Sequence, residues 1–258
     1  MDQPQVSDAH KNIVRLRLFV TSSLVPGGNI TLDRKQTHYL HRVMRAGIGD
    51  RVALFNGHEG EWRARIERLG HGTVNLTVEL QLRPQTIEPN IWLAFAVIKR
   101  RPMDLIAQKA TELGAARLLP VFTGHGQVTR VNTERLTLIA TEAAEQCSRL
   151  SVPEVEEVAS LDALLASWPR DDRPLLVCDE TGCARPLAEI LISLESDKWG
   201  VLVGPEGGFS PAELDVIHQL AFARRVALGP RILRTETAVV AALSLVQALQ
   251  GDWRPAAR

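Results

Sequence analysis

LVGPEGGFSPAEL, Leu202 to Leu214, runs from an apolar strand through a glycine-rich turn straight into a helix. Ser210 suits an N-cap, Pro211 suits the first helical position, and Glu213 completes a capping box, so the helix start is well defined. Gly204, Gly207 and Gly208 precede it at the carboxyl end of a strand, the edge where open α/β sheets take ligands. GPEGGF is neither the dinucleotide fingerprint G-x-G-x-x-G nor a phosphate loop, because no G-K-[ST] follows. Glu206 also puts an anion where a phosphate would sit. A dinucleotide or triphosphate is therefore disfavoured.

A second turn of the same kind lies 25 residues on. In RRVALGPRILRTETA, Arg224 to Ala238, a strand again ends in Gly-Pro, at Gly229-Pro230, and helix resumes near Thr235 or Thr237. Two matching exits only 25 residues apart are expected to line a single pocket on one sheet edge. Leu202, Val203, Leu228, Ile232 and Leu233 suit a flat heterocycle held by backbone amides and carbonyls, which fits an adenosyl group better than a phosphate.

Outward from these turns the chain divides. From Ile91 to the end, strand and helix patterns alternate: IWLAFAVI, MDLIAQKATELG, RLLPVF, TERLTLIATEAAEQCSRL, PLLVCDE, PLAEILISLE, WGVLVG, SPAELDVIHQLA, RRVALG and TAVVAALSLVQALQ. That alternation predicts an α/β domain on a mostly parallel sheet, residues 91–258. RPQTIEPN, with two prolines and no periodicity, reads as a linker over residues 84–90. Residues 15–83 carry four short alternating segments, RLRLFV, DRVALFN, EWRARIERL and TVNLTVELQL, divided by Asn56-Gly57 and Gly70-His71-Gly72 turns, as in a small barrel or sandwich. KQTHYLHRVMRAGIGD between the first two has helical spacing up to its glycines. Residues 1–14 are polar and aperiodic and read as a disordered tail.

Composition narrows the class. The 258 residues are 45% hydrophobic with zero formal net charge, and no apolar run is long enough to span a bilayer. Residues 1–83 hold 12 Lys and Arg against 8 Asp and Glu, leaving 18 against 22 for the rest. The three cysteines, Cys147, Cys178 and Cys183, have no metal or redox spacing, and the N-terminus has no signal-peptide layout; a reduced, cytoplasmic setting follows. His38 and His41 form an H-x-x-H pair that no further ligand completes, so no metal is expected.

GPEGGFSPAE and LGPRILRTETA together resemble the ribosomal RNA small-subunit methyltransferase E family of uridine-N3 methyltransferases, in the SPOUT class. RPMDLIAQKATELGAARLLPVF, EAAEQCSRLSVPEV and HYLHRVMRAGIGDRVALFNG extend the resemblance, in order, over almost the whole chain. It implies an α/β C-terminal domain knotted as a trefoil, an exception to the rule against knots, and an N-terminal PUA-like RNA-binding β-barrel. It implies S-adenosylmethionine as cofactor, held by Leu202, Val203, Gly204, Glu206, Gly207, Leu228, Gly229, Ile232, Leu233 and Thr235. It further implies a homodimer through the C-terminal domain, acting on small-subunit (16S) ribosomal RNA or the assembled small subunit. After PVF the family usually reads Thr-Glu-Arg-Ser or close to it; here TGHGQVTR begins at Thr123, so Gly124 or His125 replaces an arginine and no RNA contact transfers from that loop.

The chemistry then sets the catalytic candidates. Uridine N3 must be unpaired, must lose its proton, and builds negative charge on the uracil oxygens. Arg234 and Arg149 are the candidate cations for that charge, and Glu236 either accepts the proton or fixes Arg234 by pairing. Glu142, Glu145 and Arg149 share a helix face that would otherwise be a solvated salt-bridge face. For RNA, Arg17, Arg42 and Arg45 stand out in a basic front-half set that also holds Arg15, Arg34, Lys35 and Arg51, and Lys99, Arg100 and Arg101 follow the first buried strand. Two other classes compete. A non-catalytic RNA-binding ribosome-assembly factor would bind RNA without cofactor and has no use for two glycine turns. A nicotinamide-dependent oxidoreductase would need the dinucleotide fingerprint that is missing.

Overall fold

The structure is a computed structural model, which describes residues 16–70, 72–126, 128–170, 172–181 and 184–254. The tail at 1–14, Arg15, His71 and Cys183 lie outside the described residues. The chain forms two compact units that divide between Thr86 and Ile87.

The first unit holds β1 (Arg17–Phe19), β2 (Asn29–Thr31), α1 (Arg34–His38), β3 (Arg51–Phe55), β4 (Glu61–Gly70) and β5 (Thr73–Arg83). Its sheet runs β1-β3-β4-β5-β2, with β1 parallel to β3 and the other pairs antiparallel. Alternation does the folding: Val52, Leu54, Ala64, Ile66, Leu76 and Val78 join one buried cluster. The turn after β3 is built by Asn56, whose Oδ1 accepts from the His58 and Glu59 amides at 3.1 and 3.0 Å. The helical pattern after Leu32 is shorter than its periodicity predicts. An Asp33–Gln36 capping box starts α1, which gives way to a single π turn over Tyr39–Val43, with Met44 N bonded to Tyr39 O. Arg45 then takes a left-handed backbone, φ 53°, and ends the helix before either glycine is reached.

The second unit has β6 (Asn90–Ala96), α2 (Arg100–Glu112), β7 (Ala115–Phe122), α3 (Thr133–Cys147), β8 (Glu154–Val155), β9 (Ala159–Ser160), α4 (Leu161–Ser167), β10 (Leu175–Cys178), β11 (Arg185–Pro186), α5 (Leu187–Ser193), β12 (Lys198–Val203), α6 (Pro211–His218), β13 (Ala223–Ala227) and α7 (Thr235–Gln250). All its strand pairs are parallel, in the order β11-β13-β10-β12-β6-β7-β8, with β9 also beside β7. Both faces are covered, which is why these strands are apolar throughout. Along β12, Trp199, Val201 and Val203 pack into the cluster with α2, α5 and α7, while Leu202 packs into the cluster with α4 and Phe209. The order also decides where a ligand can go. β12 lies between β10 and β6, so the carboxyl ends of β13, β10 and β12 are neighbours although the strands are not consecutive.

Gly200 in the middle of β12 lets Trp168 close this packing; a methyl group on Gly200 would overlap the Trp168 ring. The indole is fixed by Nε1 donating to Arg173 O at 2.9 Å, so it has no room to yield. Gly200→Ala is expected to lower the unfolding free energy by about 1–3 kcal/mol through overpacking, read as a fall in the urea midpoint. Gly200→Ala combined with Trp168→Leu should recover part of that loss.

Candidate functional site

The three adjacent strand ends open into one cleft. Its walls come from the exits of β10 (Cys178–Thr181), β12 (Val203–Phe209) and β13 (Leu228–Leu233), closed by Thr235 and Ala238 of α7. The cleft and its mouth hold about 850 Å3 of free space, part of it open to solvent.

The β12 exit is a rigid frame. Gly208 N donates to Pro205 O at 2.9 Å, and Gly208 is left-handed at φ 66°. Ser210 accepts from Glu213 N, and Glu213 Oε2 accepts from Ser210 N at 2.7 Å, the full capping box. Thr235 Oγ1 donates to Gly204 O at 3.0 Å, which ties the start of α7 to this turn and brings the two glycine exits together. The loop after β7 is tied to it as well. Gly124 N donates to Glu213 Oε1 at 2.7 Å, and His125 Nδ1 lies 3.0 and 3.2 Å from the carbonyls of Gly207 and Gly208. Carbonyls only accept, so Nδ1 carries the proton.

The β10 exit supplies the charge. Asp179 is buried, its side chain 2% exposed. Arg225 Nε donates to its Oδ2 at 2.6 Å, Thr181 N to its Oδ1 at 2.9 Å and Thr181 Oγ1 to its Oδ2 at 3.1 Å. Burial pushes the Asp179 carboxyl up, but the Thr181 and Arg225 hydrogen bonds outweigh it and hold it below the usual carboxylate range. Arg225 also contacts His218. Beside Asp179, burial drives the Cys178 thiol up to about 12, with the Asp179 charge adding to the effect, so this sulfur is no nucleophile at neutral pH. Glu180 is exposed in the cleft wall and has no ion pair among the described residues.

The residues singled out from the sequence fall into groups. Val203, Gly204, Leu228, Gly229, Ile232, Leu233 and Thr235 line the cleft, and Ile232 stands 78% exposed at its edge. Glu206 and Gly207 are exposed in the turn without lining it, and Leu202 faces the opposite side of the sheet because neighbours along a strand alternate. Arg234 is exposed at the N-cap of α7, between two lining residues. Glu236 makes no ion pair with it, and Glu236 Oε2 is enclosed without a hydrogen-bond partner. Arg149 is not brought to the cleft. Its guanidinium donates to Glu88, to Thr111 O at 2.7 Å and to Ala115 O at 2.9 Å, at the amino-terminal edge of the sheet. Arg17 is likewise engaged inside the first unit, 10% exposed, 2.5 Å from Glu61 and stacked over Phe55, so its charge is neutralised where a phosphate cannot reach. Arg42 and Arg45 are exposed beside exposed Val43, Met44 and Ile48. Lys99, Arg100 and Arg101 are exposed at the start of α2 on the carboxyl edge of the sheet, with no acidic residue in that turn. Among the described residues no group of His, Cys, Asp and Glu is arranged to hold a metal.

Sequence reasoning missed the β10 contribution, Cys178 to Thr181. The rule that drew attention to Gly204 and Gly229, a strand's carboxyl end, applies equally to PLLVCDE, where an acidic pair follows a buried run.

The RNA methyltransferase domain family matches residues 86–247, and an RNA methyltransferase PUA domain matches residues 32–79. The Ribosomal RNA small subunit methyltransferase E of Rickettsia conorii is 31% identical over 234 residues, 90% of this chain and 95% of the relative. The chain belongs to this family. The same enzyme of Bacillus subtilis is 30% identical over 237 residues, covering 86% of this chain and 92% of its own. Among solved structures, the Neisseria gonorrhoeae family member bound to S-adenosyl methionine superposes with a TM-score of 0.84 at 27% identity, over 93% of this chain and 99% of that one. A Legionella pneumophila protein in complex with bound SAM gives 0.81 at 29% identity, over 92% and 98%. The parallel α/β unit, the PUA domain and the membership read from the glycine turns thus stand on the family itself.

Removing Arg225 leaves Asp179 buried and unpaired. Arg225→Ala is expected to cost about 3 kcal/mol of stability at pH 7. The Asp179 pKa is depressed on folding, so its stabilising share is present above the ordinary aspartate value of about 4 and is lost as pH falls through the lower folded value. Urea unfolding of wild type and variant should therefore converge as pH drops below about 4.

Proposed function

We propose that this chain transfers the methyl group of S-adenosylmethionine to N3 of a uridine in small-subunit (16S) ribosomal RNA, as a cytoplasmic homodimer paired through its second unit. The observation that carries the reading is the cleft between the two glycine exits, with Arg234 at its rim, in a chain of this family. The cleft fits the cofactor: its walls are apolar at Val203, Leu228, Ile232 and Leu233, its turns offer backbone carbonyls, and its free carboxylate suits a ligand of positive charge.

The bound cofactor supplies an electrophilic methyl on a sulfonium. Val203, Gly204, Leu228, Gly229, Ile232, Leu233 and Thr235 hold its adenosyl part and keep water away from it. Arg234 acts on the substrate base, its guanidinium stabilising the charge that develops on the uracil oxygens as N3 loses its proton. Glu236, whose Oε2 has no hydrogen-bond partner among the described residues, accepts that proton. Lys99, Arg100 and Arg101 neutralise RNA phosphates near the cleft, and Arg42 and Arg45 do so from the PUA-like barrel. Exposed cations at the positive end of a helix are locally unfavourable, which supports an anionic partner for the α2 group. We infer also that the second unit is threaded as a trefoil knot. Its support is the central position of β12 and the bond between Thr235 and Gly204, which draws the last helix back to the β12 exit.

Methyl transfer from labelled S-adenosylmethionine to small-subunit particles lacking the modification, followed by nucleoside analysis, tests the whole reading. Label is expected in N3-methyluridine, and Arg234→Ala should lower kcat about a hundredfold or more with the cofactor KM little changed. Label in another nucleoside would overturn the N3 assignment. RNA binding without cofactor binding would make the chain a non-catalytic assembly factor instead.

A further inference from the structure

The polar side chains in the cleft wall can be accounted for one by one, and apart from the exposed rim cation Arg231 one remains. Asp179 is satisfied by Arg225 and Thr181, and the Thr181 hydroxyl is engaged with both of them. Thr235 Oγ1 is donated to Gly204 O. The Cys178 thiol is held protonated by its burial. Glu180 keeps an exposed carboxylate in the lining with no ion pair among the described residues.

Its position is built. Thr181 N bonding to Asp179 Oδ1 closes a tight turn with Glu180 as its middle residue, and the buried Asp179–Arg225 pair anchors that turn to β13. Across the cleft the carboxylate lies against the backbone of Gly208, where a side chain would overlap Glu180 Oε1. Gly208 is also left-handed, so two independent features keep that side open for the carboxylate. An acidic side chain at a strand's carboxyl end, facing a cleft of this kind, is placed to accept hydrogen bonds from a bound ligand.

We propose that Glu180 is a binding residue for the cofactor, taking the hydrogen-bond donors that lie outside its base: the ribose hydroxyls or the ammonium of the amino-acid end. The assignment rests on the cofactor reading above and adds to it the anionic contact of the site. Among the described residues Glu180 makes no hydrogen bond or ion pair that its removal would release, so its loss acts on the ligand and not on the fold.

Calorimetric titration of the full chain, wild type against Glu180→Ala and Glu180→Gln, tests this without any turnover. The ligands are S-adenosylmethionine, S-adenosylhomocysteine and methylthioadenosine, which has base and sugar but no amino acid. Glu180→Ala should weaken S-adenosylmethionine binding about tenfold or more, as expected for loss of a charged acceptor, with the ligand-free melting temperature unchanged. Glu180→Gln should fall between the two. An equal loss for methylthioadenosine assigns the sugar hydroxyls; a loss confined to the two ligands bearing the amino acid assigns the ammonium. Unchanged affinity in Glu180→Ala, a lowered ligand-free melting temperature, or a loss confined to the sulfonium-bearing ligand would overturn the proposal. Wild-type chain that binds none of the three would instead overturn the cofactor reading on which it rests.

Discussion

A strand buried on both faces has no surface from which to present side chains to a ligand, so only its exit can do so. β12 is in that position, enclosed between β10 and β6 with helices above and below. The consequence reaches every part of the cleft. Recognition passes to the backbone of the Gly204–Phe209 turn, to the exit of β13 two strands away, and to the exit of β10 between them. The order β13-β10-β12 makes three separate sequence segments into one wall, and the Thr235–Gly204 bond keeps the last helix from drawing the β13 exit away.

The charges divide in a way the same constraint explains. Near the sheet the cleft is apolar, and its buried acid is neutralised by Arg225 before it can repel or attract a ligand. Exposed charge begins at the rim, with Glu180 on one side and Arg231 and Arg234 on the other. A low-dielectric floor under charged edges strengthens each edge contact. Such a site favours a ligand whose flat part enters first and whose polar ends stay near the mouth. A triphosphate in the cleft would meet the Glu180 carboxylate and only rim cations.

Local chemistry that repeats or alternates was legible in the amino acids. The capping box at Ser210 and Glu213, the unbroken apolar runs of the parallel strands and the alternation in the first unit all depend on neighbours a few residues apart, and the structure has them where the pattern put them. What was not legible depends on distant partners. Arg149 resembles a catalytic cation until its acceptors are known, and those acceptors, Glu88 and the carbonyls of Thr111 and Ala115, lie 61, 38 and 34 residues away. Arg17 loses its candidacy to Glu61, 44 residues on. Leu202 packs on the other side of the sheet from the cleft, and a fully apolar strand has no alternation to say which side chain faces which way. Glu180 went unnoticed because nothing in CDET signals that a parallel neighbour will bring Gly208 opposite it.

The loop after β7 shows how a departure from a family pattern can be absorbed. An arginine there would carry a free cation toward the substrate. His125 instead turns its Nδ1 proton onto the carbonyls of Gly207 and Gly208, while the amide of Gly124 takes up Glu213. Both contacts go to the β12 exit and neither to solvent, so this loop braces the turn that frames the cleft. Exposed cations without an ion pair among the described residues do remain at the carboxyl edge of this sheet; besides Arg231 and Arg234 at the cleft rim, these include Lys99, Arg100 and Arg101. They start α2 with no acid in the first turn to offset the helix dipole, an arrangement that costs stability in the isolated protein and becomes favourable only when an anion arrives.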